Sequence, residues 1–575
     1  MKLRFLKLHN KYKSLEPMQE GFKFLKHPLL KGHIDPICLV GLNGSGKSNL
    51  LELLADIFFD IEKFFLQENK FYTEGSTSYF AYADNKEPIL FELEYKIGVN
   101  DTDIKISRTK ETEGKIKFYR KQEVITKGDL FKPSEPIKDF VEIPIETVET
   151  YKEIREKYIP LVVAYTSGLN DLLTLPFVDL QDFYAQQVAR EALNGKEAKQ
   201  AIPSPNLLLL NYESNASIVV SNFLFAQEGS NKQKVFSESL RIERLNSFRI
   251  IVRLNKLYGN KKVKITNELQ GYIENLKNCS SLSNIKIDTK KGNEYIFDFI
   301  VNSATKELFL EKFTTAQKLF EALTKLNLLN TLCIQSKYRD LLRNKREKGQ
   351  LLKFPQVASL DKIFSIEKIE LVLTKPVVRT EYEKISDGEH QFIHIIGGIV
   401  LFDDKNPKKD ILYLLDEPDT HFNPLWRSDF FYQLENVLDN KNVEFVVTTH
   451  SPFILADAHA YNVFKFTRNG ENVSFKRLEK ETYGATIQNV TEAVFELEET
   501  DENYKNNKHF NHKMAKLAYN DIQKLYDEID KITTLDEWLN NDADFQKRIR
   551  MLGESMDRLY VIKRYTEKEQ ELRNP

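Results

Sequence analysis

Gly41-Leu42-Asn43-Gly44-Ser45-Gly46-Lys47-Ser48 fits the spacing G-x-x-x-x-G-K-[ST] of a phosphate-binding loop. Glycines let such a loop wrap tightly and turn successive N–H groups toward an anion. Asn43, Gly44, Ser45, Gly46, Lys47, Ser48 and Asn49 form the expected nucleotide-binding set. Lys47 is placed to reach the β- and γ-phosphates, and Ser48 to ligate Mg²⁺. A second group of residues suits the same chemistry. Ile411-Leu412-Tyr413-Leu414-Leu415-Asp416-Glu417-Pro418 is an apolar run closing on two acids. Asp416 suits a metal-ligand role, and Glu417 suits the orientation or deprotonation of water. Val443 to Thr448 reads as a further strand, and it leads to His450, a hydrogen-bond donor for a phosphate or an attacking water. Ser386-Asp387-Gly388-Glu389 opens an apolar helix. Ser386 is its N-cap, and the first N–H groups are open to an anion.

Each of these residues needs an element to hold it. Pro36 to Val40 is long enough for a buried strand before the phosphate loop. Leu50, Leu51, Leu53, Leu54, Ile57, Phe58 and Ile61 recur at helical spacing after it. The acidic run and the histidine run predict further buried strands, whose ends lie where α/β sheets place ligands. Ile89 to Ile97 alternates as a strand, and residues 104–108 and 115–119 predict a hairpin. These segments make a small antiparallel β-subdomain. Residues 160–165, 295–301 and 366–373 predict strands, whereas 242–257 and 314–346 carry helical periodicity. Met514 to Tyr519 and Met551 to Tyr565 open two amphipathic helices.

The order of the pieces resembles that of the ABC-type ATPases, and more narrowly the soluble branch with the SMC proteins, DNA-repair ATPases and the overcoming-lysogenization-defect family. The run Asp416 to Arg427, with Tyr165 to Gly168, is similar to ATPases of restriction systems and to the PtuA-like ATPases of Septu and retron anti-phage systems. The resemblance implies an α/β fold: a P-loop ABC-type head with a small antiparallel β-subdomain, a largely helical insertion and C-terminal helices. It divides the chain into an N-terminal ATPase lobe (1–165), a mainly helical insertion (166–365), a C-terminal ATPase lobe (366–478) and a helical end (479–575).

It implies ATP and Mg²⁺ as cofactors, with Lys47, Glu417 and His450 catalytic and Ser48 and Asp416 on the metal. Two heads would sandwich ATP, so that Ser386 and Gly388 meet the nucleotide of a partner protomer. Asp387 stands where the commonest signature has glycine. Gln67 is the one candidate for the family's Q-loop. The function implied is that of an ATPase sensing or regulating within an anti-phage complex, with a separate HNH-type nuclease and with DNA or RNA as possible partners. An ATP-gated scaffold that silences a toxic effector, and a DNA-repair accessory ATPase, are the alternatives.

Composition bounds these expectations. The net charge of -2 leaves any nucleic-acid surface to local patches. Two patches are candidates: Arg241, Arg244, Arg249 and Arg253, then Lys337, Arg339, Arg343, Lys345, Arg346 and Lys348. Cys38, Cys279 and Cys333 have no metal-ligand spacing and read as reduced thiols. No stretch is apolar enough for a bilayer span, and the N-terminus lacks a signal-peptide core, so a cytoplasmic location is expected. Asp542-Ala543-Asp544 reads as a helix-start cluster rather than a nuclease site. His509 and His512 lack the hairpin of an HNH fold.

Overall fold

The computed structural model describes the chain except residues 25–33, 68–86, 125–136, 169–170, 195–203, 257–261, 336, 342–356, 375, 404–408, 440–442, 496–515, 553–555 and 574–575. It is mixed α/β. Met1–Val494 forms one compact unit and Phe495–Pro575 another.

A seven-stranded sheet carries the chemistry. Its strands are β1 (Ile37–Val40), β2 (Leu161–Thr166), β3 (Leu207–Leu210), β4 (Ile411–Asp416), β5 (Val443–Thr448), β6 (Val463–Asn469) and β7 (Asn472–Arg477). Their spatial order is β7-β6-β1-β5-β4-β2-β3. All neighbours are parallel except the β6–β7 hairpin. Every residue of β4 and β5 is buried. A parallel sheet covered on both faces favours such buried, largely apolar runs, and the charged residue within β5, Glu444, accepts from Leu3 N at 2.9 Å.

Alternate residues feed two cores. Tyr413, Leu415, Phe445 and Val447 pack into one, whereas Leu412, Leu414 and Val446 pack into the other. Helix α1 (Lys47–Gln67) lies in the second core and helix α2 (Asp387–Leu401) in the first. The helix after the phosphate loop and the helix after Ser386 therefore cover opposite faces of one sheet. Gln67 is the last residue of α1.

Two antiparallel sheets complete this unit. One has six strands, in the order 22–23, 2–8, 91–97, 102–108, 117–124 and 137–142. The other has five, in the order 282–286, 294–300, 242–253, 364–373 and 378–381. Ile242–Arg253 is thus a strand, not the helix that its periodicity predicts. Pairing with Phe364–Leu373 shifts register three times along it. Each irregularity displaces the two-residue alternation, so Ile242, Leu245, Phe248 and Ile251 are buried at a spacing that imitates a helix. Phe364–Leu373 also straddles the boundary drawn at residue 366.

This sheet consumes part of the first basic patch. Arg249 grips Asp298 through two bonds of 2.6 and 2.9 Å, and Arg253 lies 3.4 Å from Glu294 and 3.6 Å from Glu367. In the second patch Arg339 meets Asp182 at 3.4 Å. Arg343, Lys345, Arg346 and Lys348 lie outside the described residues, as do His509 and His512.

Within Phe495–Pro575, helices 516–531, 535–551 and 556–573 share a core of Ile522, Leu525, Ile529, Trp538, Phe545, Ile549 and Val561. Asp542 and Asp544 sit in the middle of the second helix, not at its start. The start belongs to the Thr534 N-cap, with Asp536 and Glu537 in the first turn. Asp542 accepts from the Tyr565 hydroxyl, and Asp544 lies 3.5 Å from Arg548. Met551 ends this helix and does not begin the next. Among the described residues no helix is long and apolar enough to cross a membrane.

His394, on the buried face of α2, gives a pH test of this packing. Burial pushes its imidazole down from 6.5 to about 3. The neutral form is therefore the folded form. The associated stability is complete above the unfolded value and is lost as pH falls from about 6.5 toward 3. Between pH 7 and pH 5 the loss should be roughly 2 kcal/mol. Urea midpoints measured at both pH values should show that difference, and His394→Asn should shrink it. An equal pH response in the variant would refute the assignment.

Candidate nucleotide site

The phosphate loop runs from the end of β1 into α1. Two of its glycines are required by space as well as by backbone. Gly41 has φ 144°, and a Cβ there would stand 2.4 Å from the Phe466 carbonyl oxygen. Gly46 has φ 94°, and its Cβ would stand 2.8 Å from Val473. The β6–β7 hairpin thus presses on the loop from outside, and Arg468 also donates to the Gly44 carbonyl at 3.3 Å. Inside the loop, the Ser45 hydroxyl is buried without a hydrogen-bond partner. Asn49 donates to the Ser14 hydroxyl.

Lys47 is 6% exposed. Its ammonium donates to the carbonyls of Gly41 and Leu42 at 3.0 and 3.2 Å and lies 3.0 Å from His450 Nε2. Burial lowers its pKa, and the carboxylates of Glu417 and Asp416 oppose that shift. The same imidazole nitrogen stands 3.4 Å from Glu417 Oε1. Lys47 at the start of α1 and Glu417 after β4 therefore both reach the one imidazole nitrogen of His450 after β5. The His450 imidazole beside it holds the Glu417 carboxyl below its ordinary pKa, against the opposing effect of burial.

Asp416 is the meeting point of three hydroxyls. Ser48 and Thr448 donate to Oδ1 at 3.0 and 2.7 Å, and Thr166 to Oδ2 at 3.4 Å. Register explains the convergence: Asp416 pairs with Thr448 on one side and Thr166 on the other. Neither threonine is among the site residues expected from sequence. Hydroxyl residues closing the apolar runs beside the acidic one were the available signal.

Glu417 adopts φ 50°, a left-handed conformation, directly before a proline. Such a backbone costs roughly 1–3 kcal/mol and needs outside support. The support is visible. Glu417 N donates to both the carbonyl and the hydroxyl of Thr448, at 3.1 and 3.0 Å. Asp419 accepts from the Thr449 hydroxyl at 3.1 Å. Thr420 donates to Ser167 Oγ at 3.0 Å.

Ser386 caps α2 in a capping box with Glu389: backbone and hydroxyl each donate to the carboxylate at 2.8 Å. Ser386 is exposed, and its hydrogen bonds are to Glu389 rather than to the phosphate loop. Gly388 instead packs on the loop after β4, where its Cβ would stand 2.8 Å from the His421 carbonyl. The structure therefore brings together Lys47, Ser48, Asp416, Glu417 and His450, and among the described contacts none joins Ser386 or Gly388 to them.

A phosphate loop between a parallel strand and a helix, with acids at the neighbouring strand ends, defines a P-loop nucleotide-binding fold. Residues 1–455 match the AAA ATPase domain model, and the chain belongs to that family. It is similar to protein ea59 of Escherichia phage lambda, 26% identical over 239 residues, which are 38% of this chain and 42% of that protein. It is also similar to the retron Ec83 probable ATPase of Escherichia coli, 28% identical over 136 residues, covering 22% of this chain and 24% of the other. The chain thus spans less than half the length of these curated relatives. The SMC head domain from Thermotoga maritima aligns with 84% of this chain and 100% of its own, at 12% identity and a TM-score of 0.29.

Proposed function

We propose that the chain binds ATP·Mg²⁺ and hydrolyses it slowly, as the sensor or regulator of an anti-phage complex that controls a separate nuclease. The observation that carries this reading is the convergence of Lys47 and Ser48, at the start of α1, with Asp416, Glu417 and His450, at the ends of β4 and β5. Lys47 would neutralise the β- and γ-phosphates as the loop N–H groups cradle them. The unpartnered Ser45 hydroxyl suits that cradle. The Ser48 hydroxyl and Asp416 carboxylate are hard oxygen donors suited to Mg²⁺, which would take phosphate and water as its other ligands. Bound Mg²⁺ would supply charge neutralisation for phosphoryl transfer.

Glu417 would orient and deprotonate the attacking water, because its carboxylate is half exposed and held ionised beside His450. His450 would donate to the γ-phosphate. The similarity to the retron Ec83 probable ATPase supports the link to retron ATPases. The nuclease and any DNA or RNA contact rest on the resemblance of Asp416 to Arg427 to the ATPases of restriction and retron systems.

Ser386 and Gly388 would complete the site of a second protomer in a two-fold dimer, since they stand apart from their own loop and offer a capped helix start. Ser386→Arg tests this. Hydrolysis should fall by about tenfold or more, with ATP binding within about twofold of wild type. Light scattering should show no ATP-dependent rise in mass. Normal hydrolysis by the variant would refute the trans contact.

A further inference from the structure

Gln391 is the first fully buried residue of α2, about one turn and a half past the Ser386 cap. It is 5% exposed, and three of its four amide bonding positions are used. Nε2 donates to the Tyr165 hydroxyl at 3.0 Å and to the Pro418 carbonyl at 2.9 Å. Oε1 accepts from His421 N at 2.8 Å. Pro418 follows Glu417 directly, so one side chain grips both ends of the 418–421 turn that comes after the left-handed Glu417. Tyr165, its third contact, belongs to the strand paired with β4. Gly388, one turn earlier on α2, seats that helix on the same loop. A helix that shifts at its Ser386 end therefore carries Gln391, and with it the peptide after Glu417.

We propose that Gln391 is a positioning residue that couples the Ser386 end of α2 to Glu417 within one protomer. The inference rests on the reading of Ser386 as a contact to the partner's nucleotide. Its consequence is specific. The nucleotide held by one protomer would be felt through the partner's Ser386 and Gln391 at the partner's own Glu417. The two ATP sites of a dimer would then be coupled without any contact between the nucleotides. Gln391 touches no phosphate, so its loss should spare binding and lower turnover.

The test compares wild type, Gln391→Leu and Tyr165→Phe by three measurements: ATP affinity by calorimetry, kcat, and the Hill coefficient for ATP hydrolysis. Wild type should hydrolyse ATP with a Hill coefficient above one. Gln391→Leu should bind ATP within about twofold of wild type and lose about tenfold or more in kcat, with the coefficient falling to one. Tyr165→Phe should lose less of both, and it decides the matter if Gln391→Leu does not fold. A general loss of structure would instead lower affinity and kcat together. Wild-type kcat and cooperativity in both folded variants would overturn the coupling and leave the ATPase reading standing. An inactive wild type, or an active Ser386→Arg, would overturn the parent reading and this inference with it.

Discussion

Lys47→Ala should weaken ATP binding by about 100-fold or more, corresponding to the loss of roughly 3 kcal/mol from charge-assisted bonds to phosphate. The size of the effect follows from the burial of the ammonium. Lys47 is held by two loop carbonyls and the His450 ring, with little solvent to replace it. Alanine would leave the Gly41 and Leu42 carbonyls without that donor, and the phosphates without their buried cation. The fold should survive, because Gly41 and Gly46 set the loop's path rather than Lys47. Calorimetric titration with ATP reads the affinity, and thermal unfolding checks the fold. An unchanged dissociation constant would remove the phosphate loop from the proposed site.

Glu417→Gln should separate binding from turnover. Glutamine keeps the shape and the left-handed backbone, with the hydrogen bonds from the backbone N–H of residue 417 to Thr448 intact. What it loses is the ionised carboxylate that His450 stabilises. Loss of a general base is worth about 100- to 10,000-fold in rate. Single-turnover hydrolysis should slow by that order while ATP affinity stays within about twofold of wild type. A variant that turns over ATP at the wild-type rate would take Glu417 out of the chemistry.

Much of the central sheet was legible because parallel strands covered on both faces leave an unmistakable trace. The runs at 37–40, 161–166 and 411–416 are apolar up to their last residues, that at 443–448 is broken only by Glu444, and residues with chemistry stand at or just beyond their ends. The phosphate loop was legible for another reason. Its tight path demands glycine at fixed places, and the spacing survives in the sequence whatever surrounds it.

Ile242–Arg253 was not legible. Irregularities in its pairing, set by a strand more than a hundred residues further on, turned a two-residue alternation into a helical one. The Asp542 and Asp544 pair misled in the same way, because residues alone do not say which of several caps starts a helix.

The types and the order of Lys47, Ser48, Asp416, Glu417 and His450 were determined by the sequence itself, since these residues stand at the ends of elements that local pattern specifies. Thr448 and Thr166 on Asp416, and Gln391 on the loop after Glu417, were decided only by the tertiary structure. Their roles arise from parallel pairing and from the seating of α2 on that loop, contacts between segments 27 to 250 residues apart. A side chain whose partners are that distant leaves no periodic trace, because nothing near it in the chain constrains its type.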